Sequence, residues 1–350
     1  MKTILYKILI LTLLLPGVIL AGTGKGKYTK EKKISKAFAV NSNAGTTISN
    51  RYGSVYITTW DESRTEIDVT IKVSGNDEDD VTKRLSGINV EFSGTKASVV
   101  AKTIIDNFRG KNTNLEVNYT IKIPKYGTVG VANQYGAIRL GKIYGDINLS
   151  CQYGEVSIDE LNGDSNTLKL QYCDNGKINY CKNADITAQY SDFQLARVGN
   201  LQLNSQYSDV SITAVGSLSY KCQYADLNVR SASKLIGLGS YSDLSLGTIN
   251  ELLNITTNYG DLTISKLGKQ VKNVTIVNTY ADVKINFDPE IAFDFEITGS
   301  YSDVSGLGNF KVNERVEKSS SVSYKGYYQK SNVGRLYIRS QYGDIEFVKN

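Results

Sequence analysis

The sequence predicts an all-β protein folded as a parallel β-helix (β-solenoid) of about 17–21-residue coils. A short phrase centred on tyrosine recurs along the chain, and successive tyrosines from Tyr135 to Tyr301 are 17 to 21 residues apart. Apolar residues alternate with polar ones on both sides of the phrase, as they do in strands with one buried face. Gly (31) and Tyr (24) are abundant while Pro (3) and Met (1) are scarce, which favours strands over helices.

Each copy of the phrase contains a small or apolar residue, a polar residue, Tyr, a small residue, an acidic or small residue and an apolar residue. The regular copies are Asn133–Ile138, Cys151–Val156, Ala188–Phe193, Ser205–Val210, Cys222–Leu227, Gly239–Leu244, Thr257–Leu262, Asn278–Val283, Gly299–Val304 and Ser340–Ile345, with an early variant at Asn50–Val55. The step from Tyr301 to Tyr342 is 41 residues, which predicts two coils, one of them without the phrase around Ser319–Lys330.

The alternation predicts two short strands per coil that meet at a corner. Leu201, Leu203 and Tyr207 share one parity, whereas Val210 and Ile212 share the other, so a turn directly after the tyrosine must switch the faces. By this parity the tyrosine rings pack in the core or at the corner, with room left by the small residue two positions earlier. The small residue after Tyr suits a sharp bend, and the Asp that follows is expected to hydrogen-bond its own turn.

The first segment, residues 1–21, is predicted to be a secretory signal peptide. Lys2 and Lys7 precede the apolar run Ile8 to Leu20, and Ala21 offers a small-residue cleavage site. A transmembrane helix is the alternative, but the run is shorter than the ~20 residues that a bilayer requires. The rest of the chain is predicted to contain no membrane-spanning segment.

Three regions follow the signal peptide. Residues 22–36, rich in lysine, are predicted to be a basic flexible segment, and attraction to anionic lipid or polysaccharide is an alternative role for it. Residues 37–130 are predicted to be an N-terminal β region with irregular coils, and residues 131–350 the regular repeat. Within the irregular region Asp77 to Leu85 predicts a short helix, with acids first and bases last, that could cover the open end of the coil stack.

The chain resembles the DUF4097-type adhesin-like proteins, which are β-strand-repeat proteins of bacterial envelopes. The resemblance rests on Ala37–Val40, Asn50–Asp61, Asn118–Pro124 and the later Tyr-Gly/Ser-Asp copies. It implies a β-helix of the adhesin-head kind and no catalytic residues.

No catalytic, cofactor-binding or metal-binding residues are predicted. The chain has no His, which removes the usual general base and the commonest zinc ligand. Carboxylate-only catalysis is the alternative, because aspartates recur at one corner, and calcium between them is another. These aspartates are Asp192, Asp209, Asp226, Asp243, Asp261, Asp282 and Asp303.

The tyrosines and cysteines leave further alternatives open. An aromatic binding surface for glycan or peptide is the alternative to buried tyrosines, and Tyr324, Tyr327 and Tyr328 in the irregular segment are better candidates for contact. Most of the four cysteines are predicted to be buried thiols, although Cys173 and Cys181 could pair.

The function predicted from these features is that of a non-enzymatic exported envelope or cell-surface scaffold with an adhesin-like, repetitive binding surface. An envelope glycan or protein is the expected partner; nucleic acid is not, and no cofactor is expected. The alternatives are a carbohydrate-active β-helix enzyme, either a polysaccharide lyase or a glycosidase, and an envelope-stress sensing protein. A net charge of +5 is modest for 350 residues and does not discriminate among them.

Overall fold

A computed structural model describes residues 26–107, 110 and 113–349 of the chain. The predicted signal peptide at 1–21 lies outside the described residues. The chain divides into two compact units at Ser157/Ile158. In both units most described residues are in strands, which confirms the prediction of an all-β solenoid.

The described residues of the first unit form ten complete strands and one helix. They are β1 (Tyr28–Ala39), β2 (Gly45–Arg51), β3 (Val55–Trp60), β4 (Arg64–Gly75), α1 (Glu78–Ser86), β5 (Ile88–Gly94), β6 (Ser98–Ile105), β7 (Asn114–Pro124), β8 (Val129–Gln134), β9 (Ile138–Ile143) and β10 (Ile147–Gln152).

Parallel coils form the centre of the first unit, and antiparallel strands cover one end of them. Strand β8 lies between β2 and β10 in a parallel ladder, and β3 pairs in parallel with β9. On the other side of the β2–β3 coil, β6 and β7 continue the parallel pairing. Three antiparallel pairs follow, β5 with β6, β4 with β7 and β1 with β4. The end of the stack is therefore covered by antiparallel strands.

The predicted helix is present as α1 and lies against β1 and β4. Asp77 caps its N-terminus by accepting a hydrogen bond of 3.0 Å from the Asp80 backbone N–H. On its outer side Glu78 forms an ion pair of 3.0 Å with Lys30 of β1. Val81 is the buried residue of the helix. The helix therefore adds to the antiparallel cover and does not close the end alone.

The prediction of a flexible segment at 22–36 is wrong for its described part. Residues from Tyr28 onward form β1, which pairs along its whole length with β4. Side chains alternate between half-buried and exposed along the strand, so Lys30 and Lys32 lie on the half-buried face, where each reaches a hydrogen-bond partner. The period-two pattern of this strand was missed because lysines occupy its half-buried face. A lysine can pack its long aliphatic stem on that face while its charge stays hydrated.

The strand β11 (Val156–Leu161) spans the division between the units, and the second unit continues from it. Its other strands are β12 (Asn166–Gln171), β13 (Gly176–Gln189), β14 (Phe193–Gln206), β15 (Val210–Gln223), β16 (Leu227–Ser240), β17 (Leu244–Asn258), β18 (Leu262–Leu267), β19 (Asn273–Thr279), β20 (Val283–Phe287), β21 (Phe293–Ser300), β22 (Val304–Ser305), β23 (Lys311–Lys318), β24 (Ser321–Tyr328), β25 (Arg335–Gln341) and β26 (Ile345–Lys349).

Coils of the second unit pair in parallel from β12 through β17, in register apart from a bulge between Ala232 and Lys234 in the β16–β17 pair. Residues at the same coil position become neighbours, so Leu203 faces Tyr220, which faces Gly237. The predicted apolar positions form the core: Leu201, Leu203, Val210 and Ile212 are all buried. Burial of apolar residues stabilises the fold by roughly 25 cal/mol per Å² of apolar surface. A single coil cannot bury its own apolar face, so this stabilisation requires neighbouring coils.

The end of the second unit differs from the prediction of a plain coil at Ser319–Lys330. Within that range Ser321–Tyr328 form β24, which pairs antiparallel with β23 on one side and with β21 on the other. The last two strands instead enter the stack: β25 lies between β19 and β21, and β26 lies between β20 and β22. Strand β23, at the outer edge, is exposed throughout and carries five charged residues, a pattern that discourages edge-to-edge pairing.

We expect Tyr220→Phe to raise the free energy of unfolding by about 1 kcal/mol. The Tyr220 side chain is 4% exposed and its hydroxyl has no hydrogen-bond partner among the described residues, so its loss removes a desolvated polar group. Burial also raises the pKa of this hydroxyl, so it stays protonated over the ordinary pH range. Urea unfolding followed by circular dichroism measures the change. Tyr207→Phe, at an exposed ring, is the control and should change little; a loss of stability in Tyr220→Phe would contradict the prediction.

Candidate functional site

The corner of each coil is made by the tyrosine itself. The eleven phrase tyrosines, and Tyr172 at the same position of its own coil, have φ between 50° and 63°, the left-handed conformation that normally favours Gly or Asn. This conformation reverses the alternation at Tyr207, one residue earlier than the predicted turn, so the ring points outward while Ser205 and Ser208 on either side are both buried. The prediction that the rings share the core face with leucine is therefore wrong.

Small buried residues on both sides of the tyrosine satisfy the backbone of the corner. Ser205 Oγ donates a hydrogen bond of 2.7 Å to the carbonyl of Ser208, the residue after Tyr207. Thr257 Oγ1 donates the equivalent bond to the carbonyl of Gly260, the residue after Tyr259. The Ser208 hydroxyl donates to the Gln206 carbonyl at 2.9 Å and accepts the N–H of Ser191 from the preceding coil at 2.8 Å. The small residue two positions before Tyr therefore hydrogen-bonds the backbone of the corner. It does not make room for the ring, as was predicted.

Nine stacked tyrosines form a continuous surface of the second unit, which we name the tyrosine ladder. Neighbouring ring centroids lie 4.7–5.1 Å apart and the planes are within 1–11° of parallel. Each residue remains 42–62% exposed. In spatial order the ladder consists of Tyr172, Tyr190, Tyr207, Tyr224, Tyr241, Tyr259, Tyr280, Tyr342 and Tyr301. The sequence-based alternative of an aromatic surface is therefore the one that the structure supports.

The tyrosines that were expected at the surface are mostly buried. Tyr324 and Tyr328 are 5% and 4% exposed, and Tyr327 is half-buried. The Tyr328 ring packs against Phe287 and Phe310 in an aromatic cluster at the end of the second unit. These tyrosines support the terminal hairpin, so the prediction that they are the better contact candidates is wrong for Tyr324 and Tyr328.

An exposed line of aspartates accompanies the tyrosine ladder, two residues after each of the eight rings from Tyr190 to Tyr301 in spatial order; we name it the aspartate file. In spatial order it consists of Asp192, Asp209, Asp226, Asp243, Asp261, Asp282, Asp344 and Asp303. One carboxylate oxygen of each of the first seven accepts the backbone N–H of the next aspartate in the file at 2.8–3.0 Å. The aspartates thus join neighbouring coils, whereas the sequence predicted that each would bond within its own turn.

The aspartate file has no basic partner within the described part of the chain. Ion pairs occur elsewhere in the second unit, for example Lys266 with Asp288 at 2.9 Å, but none includes a member of the file. The tyrosine ladder and the aspartate file together form a surface that we name the ridge. Its exposed groups are ring edges, phenol hydroxyls and carboxylates.

The first unit has a shorter tyrosine stack with different neighbours. The Tyr135 ring stacks on Tyr52 at 5.2 Å and on Tyr153 at 5.1 Å. The acidic position after these rings is occupied by Ser54, Ala137 and Glu155 in turn. The Ser54 N–H is satisfied by the Asn118 side chain at 2.8 Å, so the corner can be capped without an acid. The acidic character of the ridge belongs to the second unit.

A polar groove of about 310 Å³ lies on the second unit away from the corner positions. Its two acids are Asp164, paired with Lys182 at 2.6 Å, and Asp185. An amide chain runs along it, in which Asn200 donates to Asn183 at 2.8 Å. No member of the aspartate file is among the residues that line it.

The cysteines are buried thiols, as predicted, and the alternative of a Cys173–Cys181 bridge is not present. Burial raises the pKa of both the Cys181 and the Cys222 thiol to about 12. Thiols that are protonated and buried are poor nucleophiles. They act as small apolar residues, Cys222 occupying the same coil position as Ser205.

The described residues contain no group of three or more His, Cys, Asp or Glu side chains arranged to hold a metal ion. Within the same residues no helix has the length and apolar character needed to cross a bilayer.

The fold and the ridge define a repeat protein of the β-solenoid class with one continuous aromatic and acidic flank on its second unit. The chain belongs to the Toastrack DUF4097 family, which matches residues 46–347. No curated protein matches it in sequence.

Solved structures give low-identity similarities over most of the chain. A candidate adhesin from Parabacteroides merdae is 9% identical, with 91% of this chain and 96% of that chain covered and a TM-score of 0.35. A candidate adhesin from Parabacteroides distasonis is 10% identical, with coverage of 93% and 98% and a TM-score of 0.34. A candidate lipid binding protein from the same species is 10% identical, with coverage of 90% and 96% and a TM-score of 0.34.

Two substitutions at Asp226 should separate its charge from its hydrogen bond. Asp226→Ala removes the acceptor for the Asp243 N–H and should lower the free energy of unfolding by about 1 kcal/mol. Asp226→Asn keeps an oxygen acceptor and removes repulsion between neighbouring carboxylates, so stability should stay equal or rise. Urea unfolding at low and at high salt measures both effects. An Asn variant as unstable as the Ala variant would contradict the assigned role.

Proposed function

We propose that this protein is exported and acts as a non-enzymatic, adhesin-like scaffold of the bacterial envelope or cell surface, with the ridge as its binding face. The observation that carries the proposal is the tyrosine ladder, in which nine rings stay 42–62% exposed along one flank. Contiguous exposed aromatic surface is unusual on a protein without a partner. Tyrosine also supplies contact area and hydrogen bonds at low entropic cost, as it does in other binding surfaces.

The organisation of the aspartate file favours binding over catalysis. Two-carboxylate catalysis needs two acids in different surroundings, one to donate a proton and the other to act as base or nucleophile. In the file, consecutive carboxylates repeat the same hydrogen bond to the next coil and the same exposure. Repetition of one environment suits a ligand that is itself repetitive.

Export is supported by the first residues of the sequence. Lys2 and Lys7, the apolar run Ile8 to Leu20 and the small residue Ala21 together fit a secretory signal. Release of this segment would give a mature chain that starts at Gly22. Placement at the envelope brings the ridge to glycans and envelope proteins.

The export part of the proposal predicts a processed protein outside the cytoplasm. Expressed in a bacterium, the native chain should appear in periplasmic, surface or medium fractions, and intact mass should show cleavage after Ala21. Leu13→Arg with Leu14→Arg, which interrupts the apolar run, should leave the uncleaved precursor inside the cell. Recovery of full-length native protein in the cytoplasm alone would contradict export.

The binding part is tested with purified protein and isolated cell envelopes in a co-sedimentation assay. The triple variant Tyr207→Asn, Tyr224→Asn and Tyr241→Asn removes three neighbouring rings and uses a residue that tolerates the left-handed corner. Its affinity should fall at least about tenfold, the size of effect expected when central aromatic contacts are lost.

The matched control changes three exposed tyrosines outside the ridge, Tyr56, Tyr126 and Tyr144, to Asn. It should bind like the native protein, and circular dichroism should show that both triple variants are folded. Equal binding by the folded ladder variant would overturn the assignment of the ridge as the binding face.

A further inference from the structure

The faces of the ladder rings are already occupied by other rings. With centroids 4.7–5.1 Å apart and planes nearly parallel, no ligand ring fits between neighbours. For the rings that lie between two neighbours, the 42–48% exposure must therefore come from ring edges and hydroxyls. A partner of the ridge has to lie along the ladder, touch these edges and exchange hydrogen bonds with the hydroxyls.

The charge of the ridge selects a cationic partner. Eight aspartates follow one another at one-coil intervals, and no Lys or Arg of the described residues forms an ion pair with them. Two carboxylates at this spacing repel by about 1 kcal/mol even at the dielectric constant of water, and by more near a protein surface. A row of positive charges would relieve this repulsion along the whole file, although the protein as a whole carries a net charge of +5.

The spacing of the ridge selects among cationic polymers. An extended polypeptide advances about 3.3 Å per residue, so its side chains would fall out of register with a ladder step of 4.7–5.1 Å after one or two coils. A pyranose unit of an extended β-1,4-linked glycan advances its chain by about one ladder step. Because successive units face opposite ways, amines on one side of that chain recur at about every second step. Sugars also present hydroxyls and C–H groups, which match phenol hydroxyls and ring edges.

We infer that the ridge binds a linear amino-sugar polysaccharide with free amines, which lies lengthwise along the tyrosine ladder with the ammonium groups of alternate sugars on the aspartate file. This inference rests on the proposed function, because it names the ligand class of the same surface. The short tyrosine stack of the first unit, with Ser54, Ala137 and Glu155 in the acidic position, lacks the charge for such a ligand.

The test measures binding of β-1,4-linked glucosamine oligomers of increasing length by calorimetry, at mildly acidic pH where their amines are protonated. Affinity should rise with length, because each added sugar reaches a further rung, and should fall as salt is added. Fully N-acetylated oligomers of equal length should bind at least about tenfold more weakly, since they offer no charge.

The decisive variant is Asp209→Asn with Asp226→Asn and Asp243→Asn, which keeps a backbone hydrogen-bond acceptor at each position and removes three adjacent charges. It should lose at least about tenfold in affinity for the glucosamine oligomers. The control Asp61→Asn, Asp159→Asn and Asp185→Asn changes net charge equally outside the ridge and should bind like the native protein.

Three results would overturn the inference. Equal affinity for acetylated and free-amine oligomers would show that charge does not select the ligand. Tighter binding of poly-lysine, lost in the same Asp→Asn variant, would make the ridge a face for basic polypeptides. If none of these glycans binds but envelope binding still depends on Tyr207, Tyr224 and Tyr241, the ligand class is wrong and the proposed function stands. If none of these glycans binds and envelope binding does not depend on the three tyrosines, both proposals are wrong.

Discussion

The structure depends on a backbone conformation that tyrosine adopts only at a cost. A left-handed corner costs a non-glycine residue roughly 1–2 kcal/mol, and this fold uses one at every phrase. Each ring recovers about 0.5–1.5 kcal/mol from a stacked neighbour, and buried hydroxyls and aspartates satisfy the corner backbone through adjacent coils. An isolated coil would have the unfavourable left-handed conformation without the ring stacking and the hydrogen bonds from adjacent coils. The corner is therefore stable only in a stack.

Much of this fold was predictable from the sequence because the repeat carries its own register. The spacing of the phrase gave the coil length, and the alternation at Leu201, Leu203, Val210 and Ile212 gave the core. The position of the ring was not predictable by parity, because the left-handed residue reverses the alternation and no Gly or Asn marks it. The predicted switch one residue later placed Tyr207 on the wrong face.

The ends of the units were predicted less well, for two physical reasons. A phrase such as Ser340–Ile345 fits any coil equally, so nothing local shows that it enters between two earlier strands. Lysines in β1 suggested a solvated tail, although their stems occupy the half-buried face of a paired strand. Tyr324 and Tyr328 lack the repeat context, and only the hairpin β23–β24 shows what they cover. The acidic file was visible in the sequence, but its coil-to-coil bonding was not.

The entry of β25 and β26 between earlier strands has a consequence for how the chain reaches its final form. The coil that contains β21 and β22 is synthesised before the coil of β25 and β26 that lies next to it in the stack, because Arg335 to Lys349 come later in the sequence. A stack that grew one coil at a time from its first strands would therefore stop at β19 and β20. The last layers of the stack must therefore form together, after the ribosome has released β25 and β26, with these two strands inserting between strands that are already present.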